Sequence, residues 1–257
     1  VKRPVLRYFG GKYLLAPWIV SHFPAHRVYV EPFAGAASVL MRKERSKVEV
    51  WNDLDDSVYH LFKLLRDGRG PELEQALRLT PYSRREFELS GSPHPDPLES
   101  ARRLIIRSFM GFGGDAVGSA STGFRSCSNQ SNRAPALDWI NYPAAIQGFI
   151  GRLQGVVIEN KNAFEVMWQH DSDTTLHYVD PPYHPEARSK RQRYKHEMFD
   201  HDELLAKLPA LKGKVILSGY HCPTYDRWAE HHGWRSVERS ARADGAKKTT
   251  EVLWMNF

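Results

Sequence analysis

Arg27-Val28-Tyr29-Val30-Glu31-Pro32-Phe33-Ala34-Gly35 carries the reading of the fold. The β-branched and aromatic run predicts a buried strand ending at Glu31, where proline and glycine halt it. A short helix is expected from about Ala36, then a second strand from Val48 to Trp51. Val58, Leu61, Phe62 and Leu65 follow at i, i+3, i+4 and i+7, the spacing of a helix face. Strand, helix, strand, helix is the rhythm of a parallel sheet with crossover helices. Upstream, Leu15, Trp18 and Ile19 make another helical stripe.

The same rhythm returns late in the chain. Val156 to Glu159 reads as a strand, Ala163 to Trp168 as a helix, and Leu176 to Val179 as a strand. Asp200 to Leu208 is a helix opened by a capping box of Asp200 and Glu203. Val215 to Leu217 is a strand, and Trp234 to Val237 with Glu251 to Trp254 form a closing antiparallel pair. Between Asp67 and Tyr142 only helical stretches are found, including a face of Leu98, Ala101, Leu104, Ile105 and Phe109. A Ser/Gly/Asn-rich segment runs from Gly111 to Arg133, of a length that suits a functional or a flexible loop. The expected architecture is α/β, a Rossmann-like doubly wound sheet of residues 1–66 and 143–257, split by a mostly helical insertion at 67–142.

The 257 residues suffice for a sizeable core. A net charge of +6 is compatible with a polyanionic partner without requiring one. Two cysteines, Cys127 and Cys222, exclude a zinc quartet and a disulfide framework. No apolar run is long enough to span a membrane, so a soluble protein of a reducing compartment is expected. His184, His196 and His201 fit no metal-ligand spacing, and no metal is expected.

Four motifs fall on or beside the carboxyl ends of the predicted strands, where ligands of such sheets bind. Glu31-Pro32-Phe33-Ala34-Gly35 combines small residues with a strand-to-helix turn, although an ordinary turn uses the same residues. Asn52-Asp53 puts a carboxylate where ribose hydroxyls are held in nucleotide-binding sheets; capping of the next helix by Asp53 or Asp55 is the alternative. Phe9-Gly10-Gly11-Lys12 precedes the first helix and permits close backbone approach beside a cation. Asp180-Pro181-Pro182-Tyr183 ends the strand at Val179. Proline disfavours helix for Asp180, and two prolines stiffen the Pro181 carbonyl. A carboxylate, an aimed carbonyl and an aromatic ring suit the gripping of an amino group on a flat heterocycle, or else a strand-ending turn.

In this order, the motifs resemble those of the Dam-like, D12-class DNA adenine-N6 methyltransferases, including phage-borne members, over nearly the whole chain. The resemblance implies S-adenosylmethionine as cofactor, held by Phe9, Gly10, Gly11, Lys12, Glu31, Pro32, Phe33 and Gly35, with Asp53 on the ribose. It implies Asn162 and Phe164 against the cofactor adenine, and Asp180 beside the reacting methyl. Asp180 and the Pro181 carbonyl would hold the target amine, with Pro182 stiffening the turn and Tyr183 stacking on the base. It further implies double-stranded DNA as partner, a flipped adenine, a cytoplasmic place in a bacterial or phage-infected cell, and roles such as restriction-modification.

Two segments are candidates for the DNA grip. Arg188, Lys190, Arg191, Arg193 and Lys195 follow the Asp180 motif, and Arg107, Arg125 and Arg133 lie in the insertion. Thr122-Gly123-Phe124-Arg125 is the candidate for a base-reading hairpin loop. N4-methylation of cytosine needs the same amine grip, and a catalytically silent DNA-binding protein of this fold, or an RNA or protein methyltransferase, is a further alternative.

Overall fold

The computed structural model describes residues 1–8, 10–113, 122–126, 134–187, 199–242 and 248–257. Seven strands form one sheet: β1 Val28–Glu31, β2 Val48–Asn52, β3 Val156–Glu159, β4 Thr175–Val179, β5 Lys214–Tyr220, β6 Arg235–Arg242 and β7 Lys248–Met255. Their order is β3-β2-β1-β4-β5-β7-β6. β1 is parallel to both β2 and β4, with Val28 level with Val48 on one side and Thr175 on the other. β4 is parallel to β5, while β7 runs antiparallel between β5 and β6. The chain therefore winds from β1 outward to β3 and returns to β4 on the other side, so the strand order reverses between β1 and β4. This is the expected α/β sheet with its antiparallel closing pair. No helix among the described residues is long and apolar enough to cross a membrane.

The short helix expected from about Ala36 is not formed; Gly35–Arg42 are successive turns. The backbone explains the difference. Gly35 at φ 48° and Ala37 at φ 55° lie in the left-handed region, which a right-handed helix cannot contain.

The chain divides into two compact units. One comprises Leu14–Ala34, Lys43–Leu54 and Glu159–Phe257. It contains α1 (Ala16–Ser21), α8 (Ala163–Gln169), α9 (His201–Lys207) and α10 (Pro223–His231). Asp200 caps α9 by accepting from the Glu203 N–H, as its sequence suggests. Strand alternation turns Val215 and Leu217 of β5 and Val252 and Trp254 of β7 into a core with Leu204, Leu205 and Leu208. Gly219 lies on this side too, because a Cβ there would sit 3.3 Å from the Trp254 ring. The opposite side of the same strands carries Ile216, Ser218 and Tyr220 of β5 and Glu251, Leu253 and Met255 of β7.

The other unit comprises Val1–Tyr13, Gly35–Arg42 and Asp55–Ile158, and so reaches beyond 67–142 at both ends. Its described helices are α2 (Asp56–Arg66), α3 (Gly70–Arg78), α4 (Arg84–Leu89), α5 (Pro97–Met110), α6 (Pro135–Ile140) and α7 (Ile146–Leu153). α5 starts on Asp96, whose carboxylate accepts from the Leu98 and Glu99 N–H groups. It buries Ala101, Leu104, Ile105 and Phe109, most of the face read from the sequence. Phe109 meets the ring of Tyr142, whose hydroxyl donates to the Val5 carbonyl at 2.6 Å. The outer side of α5 is tied by Glu99, which accepts from Arg102 and Arg103, while Arg102 also donates to Glu86.

These hydrogen bonds from Arg102, and then those from Arg103, hold the Glu99 carboxyl at about 2. A depressed folded-state pKa contributes stability above the unfolded value that is lost as pH falls. Wild type should therefore exceed Glu99→Gln in stability at neutral pH, by about 1 kcal/mol for a network that water still reaches. The gap should close between about pH 4.5 and about pH 2. Urea denaturation of both proteins across that range measures it; a pH-independent gap would remove the ion network as its cause.

Candidate active site at the carboxyl edge of the sheet

Within the sheet-bearing unit, the sequence motifs fall at neighbouring strand ends. β4 is buried along its full length and delivers Asp180, partly exposed, at the point where strand order reverses. Pro181 is buried behind it. The Asp180 carboxylate is close enough to act on the buried Tyr225 hydroxyl. Burial first, then the charges of Cys222 and Asp180, push that hydroxyl's pKa upward.

Tyr183, expected to stack on the base, is 6% exposed. Its ring lies 4.3 Å from that of Tyr220 at an angle of 51°. Its hydroxyl donates to both carboxylate oxygens of Glu251, at 3.0 and 3.1 Å. Ser218 donates to the same carboxylate at 2.8 Å.

On the other side of β1, Asn52 ties the strand ends together. Its side-chain N–H groups donate to the carbonyls of Pro32 at 2.9 Å and Lys161 at 3.0 Å. Its side-chain oxygen accepts from the Lys161 N–H at 2.9 Å, and its main-chain carbonyl accepts from the Ala34 N–H. The turn after β1 and the residues after β3 are thereby held against the end of β2. Asp53 follows, partly exposed, with its main-chain carbonyl accepting from Asn160. Capping of α2 falls to Asp55, which accepts from the Ser57 N–H, and not to Asp53.

Phe33, Phe164 and Phe199 gather beside these strand ends. Phe33 meets Phe199 edge-on at 5.2 Å, Phe199 stacks near Phe164 at 6.4 Å, and the Lys207 ammonium lies 4.2 Å over the Phe164 ring. All three rings are partly buried against the core of the unit. Aromatic rings with a carboxylate at the neighbouring strand end are the groups that suit a purine nucleoside such as that of S-adenosylmethionine. Two of the expected cofactor residues have hydrogen-bond partners within the protein. Asn162 caps α8 by accepting from the Phe164 N–H at 2.8 Å. Glu31 is buried and accepts from the Tyr29 hydroxyl at 2.9 Å.

Gly10, Gly11, Lys12 and Gly35 belong to the other unit. The Gly11 N–H donates to the Tyr8 carbonyl, and a Cβ at Gly11 would come within 2.9 Å of that oxygen, so a larger residue does not fit. Gly35 is similarly cradled, with the Tyr8 ring 3.0 Å from where its Cβ would stand. Lys12 is buried and donates to the Gly10 carbonyl at 3.1 Å. Phe9 lies outside the described residues.

The expected DNA contacts divide likewise. Arg107 is partly buried in α5, and burial lowers its pKa against the opposing pull of Asp55. This is an inward-facing side chain. Arg125 follows an antiparallel bridge between Gly111 and Phe124; its N–H donates to the Met110 carbonyl, and its own carbonyl accepts from Tyr82. Its guanidinium lies 3.9 Å from Asp138. Arg133, Arg188, Lys190, Arg191, Arg193 and Lys195 lie outside the described residues.

Among the described residues, His184, Glu186 and Cys222 place possible metal-ligand atoms within 4.8 Å of one another. Each has protein partners: the Glu186 N–H donates to His184, Thr224 donates to Glu186, and Cys222 is a buried thiol whose pKa is pushed up by that burial.

Tyr220, Phe199 and Glu251 were not singled out by the sequence. Phe199 and Tyr220 carry no local signature. Glu251 does carry one, since a carboxylate opening the apolar run Val252-Leu253-Trp254 breaks the strand pattern.

Asn52→Ala would leave two carbonyls and one N–H without their partner, in a place where Asn52 is fully buried. Buried unsatisfied groups cost about 1–3 kcal/mol each, so a destabilisation of about 2–4 kcal/mol is expected after partial relaxation. Urea denaturation measures this, and titration calorimetry with S-adenosylmethionine should show weakened binding in the protein that remains folded.

Residues 8–88 match the family model of the D12 class N6 adenine-specific DNA methyltransferases, a span that includes Gly10, Gly11 and Lys12, the Glu31–Gly35 motif and Asp53. No curated protein matches the chain. The matched family uses S-adenosylmethionine as methyl donor, and the match, on a mostly parallel sheet of this kind, supports adenine N6 methylation of DNA.

Proposed function

We propose that the chain methylates adenines at a defined DNA sequence, with the target base turned out of the duplex toward the sheet edge between β1 and β4. The observation that carries this reading is the meeting of motifs at the reversal of strand order. Asp180 and Pro181 end β4, the Phe33 turn ends the neighbouring β1, and Asp53 ends β2. In this reading Asp53, Phe33 and Phe164 hold S-adenosylmethionine.

The exocyclic amine of adenine is a poor nucleophile because its lone pair is delocalised into the purine. The Asp180 carboxylate and the Pro181 carbonyl each accept one of its N–H groups and draw the nitrogen out of conjugation. S-adenosylmethionine supplies a methyl carbon activated by its sulfonium. As the amine attacks that carbon, Asp180 stabilises the positive charge growing on nitrogen, an electrostatic contribution in place beforehand. Holding the amine in one orientation removes much of the remaining entropic barrier. The methyl–sulfur bond would break as the nitrogen–methyl bond forms, S-adenosylhomocysteine leaving as a neutral thioether, and the methylated nitrogen would then lose one proton to water.

Extrusion of the base costs a few kcal/mol, and stacking on an aromatic offsets about 1–3 kcal/mol of it. Tyr183 and the partly exposed Tyr220 provide that aromatic pair. Because Tyr183 is 6% exposed, its cover must part as the base enters. The basic run from Arg188 to Lys195 and the arginine-bearing insertion at 67–142 are assigned to DNA by their charge and by their attachment to the catalytic motif. Arg125 is preferred over the inward-facing Arg107 as a base or phosphate contact.

Incubation with DNA and labelled S-adenosylmethionine, followed by digestion to nucleosides, should yield N6-methyladenine; N4-methylcytosine alone would overturn the reading. Asp180→Ala should lower transfer by about 10²–10³-fold or more while leaving S-adenosylmethionine binding by calorimetry largely intact. Loss of cofactor binding in a folded variant would contradict this division of roles.

Replacing Arg188 and Arg191 by Ala should weaken DNA binding and reduce the slope of log K against log salt by about 0.9 for each phosphate no longer neutralised. Binding isotherms between low and moderate salt measure the slope, and an unchanged slope would remove this run from the interface.

A further inference from the structure

Glu251 is buried at 2% exposure beside the catalytic loop, and neither cofactor binding nor the amine grip uses it. It stands on β7 directly opposite Tyr220 of β5, with Ser218 two pairs further along opposite Leu253. Residues opposite each other in an antiparallel pair share a face, so Ser218, Tyr220 and Glu251 project to the same side as Ile216, Leu253 and Met255. Three of these are apolar, and an apolar side chain at 251 would continue that surface. A carboxylate in such a place is costly unless its oxygens are hydrogen-bonded. Here Ser218 donates to one oxygen at 2.8 Å, and the Tyr183 hydroxyl bridges both at 3.0 and 3.1 Å.

We propose that Glu251 is a positioning residue for methyl transfer, holding the Tyr183 ring in the orientation that receives the target base. Without this anchor, Tyr183 would sit on a loop of two prolines with rotation about χ1 and χ2 less restrained. Hydrogen bonds from the phenol to both carboxylate oxygens restrict that rotation, and packing against Tyr220 at 4.3 Å limits it further. A ring turned by a few tens of degrees would no longer lie parallel to the base, and the amine would miss the two acceptors at Asp180 and Pro181. The effect of Glu251 therefore passes through the Tyr183 hydroxyl, and it rests on the proposed function, in which Tyr183 is the base-stacking residue.

The test is a double-mutant cycle of Glu251→Gln and Tyr183→Phe, assayed for kcat and KM with DNA and for S-adenosylmethionine affinity. Glu251→Gln keeps the size of the side chain but weakens the acceptor. It is expected to lower kcat/KM for DNA by at least tenfold while S-adenosylmethionine affinity stays unchanged. In the Tyr183→Phe background, where no hydroxyl is left to hold, the same change should have little further effect. Ser218→Ala, which leaves the Tyr183 hydrogen bonds in place, should be milder than Glu251→Gln. If Glu251→Gln and Tyr183→Phe lower kcat/KM independently and multiply, or if Glu251→Gln is fully active, the inference is wrong. Should Glu251→Gln not fold, Tyr183→Phe decides alone, and full activity of that variant refutes the anchor. A wild-type protein that never methylates DNA would instead refute the proposed function, an outcome distinct from an active wild type with an indifferent Glu251.

Discussion

The amide of Asn52 is the constraint on which the carboxyl edge depends. A single fully buried side chain donates to two carbonyls and accepts one N–H, and its own main chain holds the Ala34 N–H. An apolar side chain could fill the space but could not satisfy three backbone groups at strand ends that no longer belong to the sheet ladder. With those groups paired, the turn after β1 and the chain after β3 are fixed relative to β2. Phe33, Asp53 and the start of α8 take their places from that.

Carboxylates at this edge separate into two kinds by environment. Glu31 and Glu251 are buried and bonded to tyrosine hydroxyls, so they organise aromatic rings. Asp53 and Asp180 leave strand ends partly exposed, where a ligand can reach them. Four acids of similar intrinsic chemistry thus acquire different tasks, because desolvated carboxylates must be tied to donors while solvated ones need not be. The family match over residues 8–88 spans Glu31 and Asp53 of this set.

The helical unit shows the same economy with cations. Arg102 and Arg103 are committed to Glu99 and Glu86, and Arg107 is turned inward, so the abundance of arginine in α5 is largely structural.

The sequence by itself determined the strands and helices, because periodicity and turn chemistry act over a few residues. Val28–Glu31, Thr175–Val179 and the Asp200 cap all lie where their local pattern put them. The helix expected at Ala36 failed because residues 35 and 37 lie in the left-handed region, with Gly35 packed close against the Tyr8 ring, a contact that no local pattern records. The place of Asp180 and Asp53 at strand ends was legible, since proline and the end of an apolar run announce it. That Asn162 caps a helix, that Lys12 is buried, and that Tyr183 is held by a carboxylate 68 residues away were decided only by the tertiary structure. A hydrogen bond between distant residues depends on which strands become neighbours, and the pairing of β5 with β7 is what carries Glu251 to Tyr183.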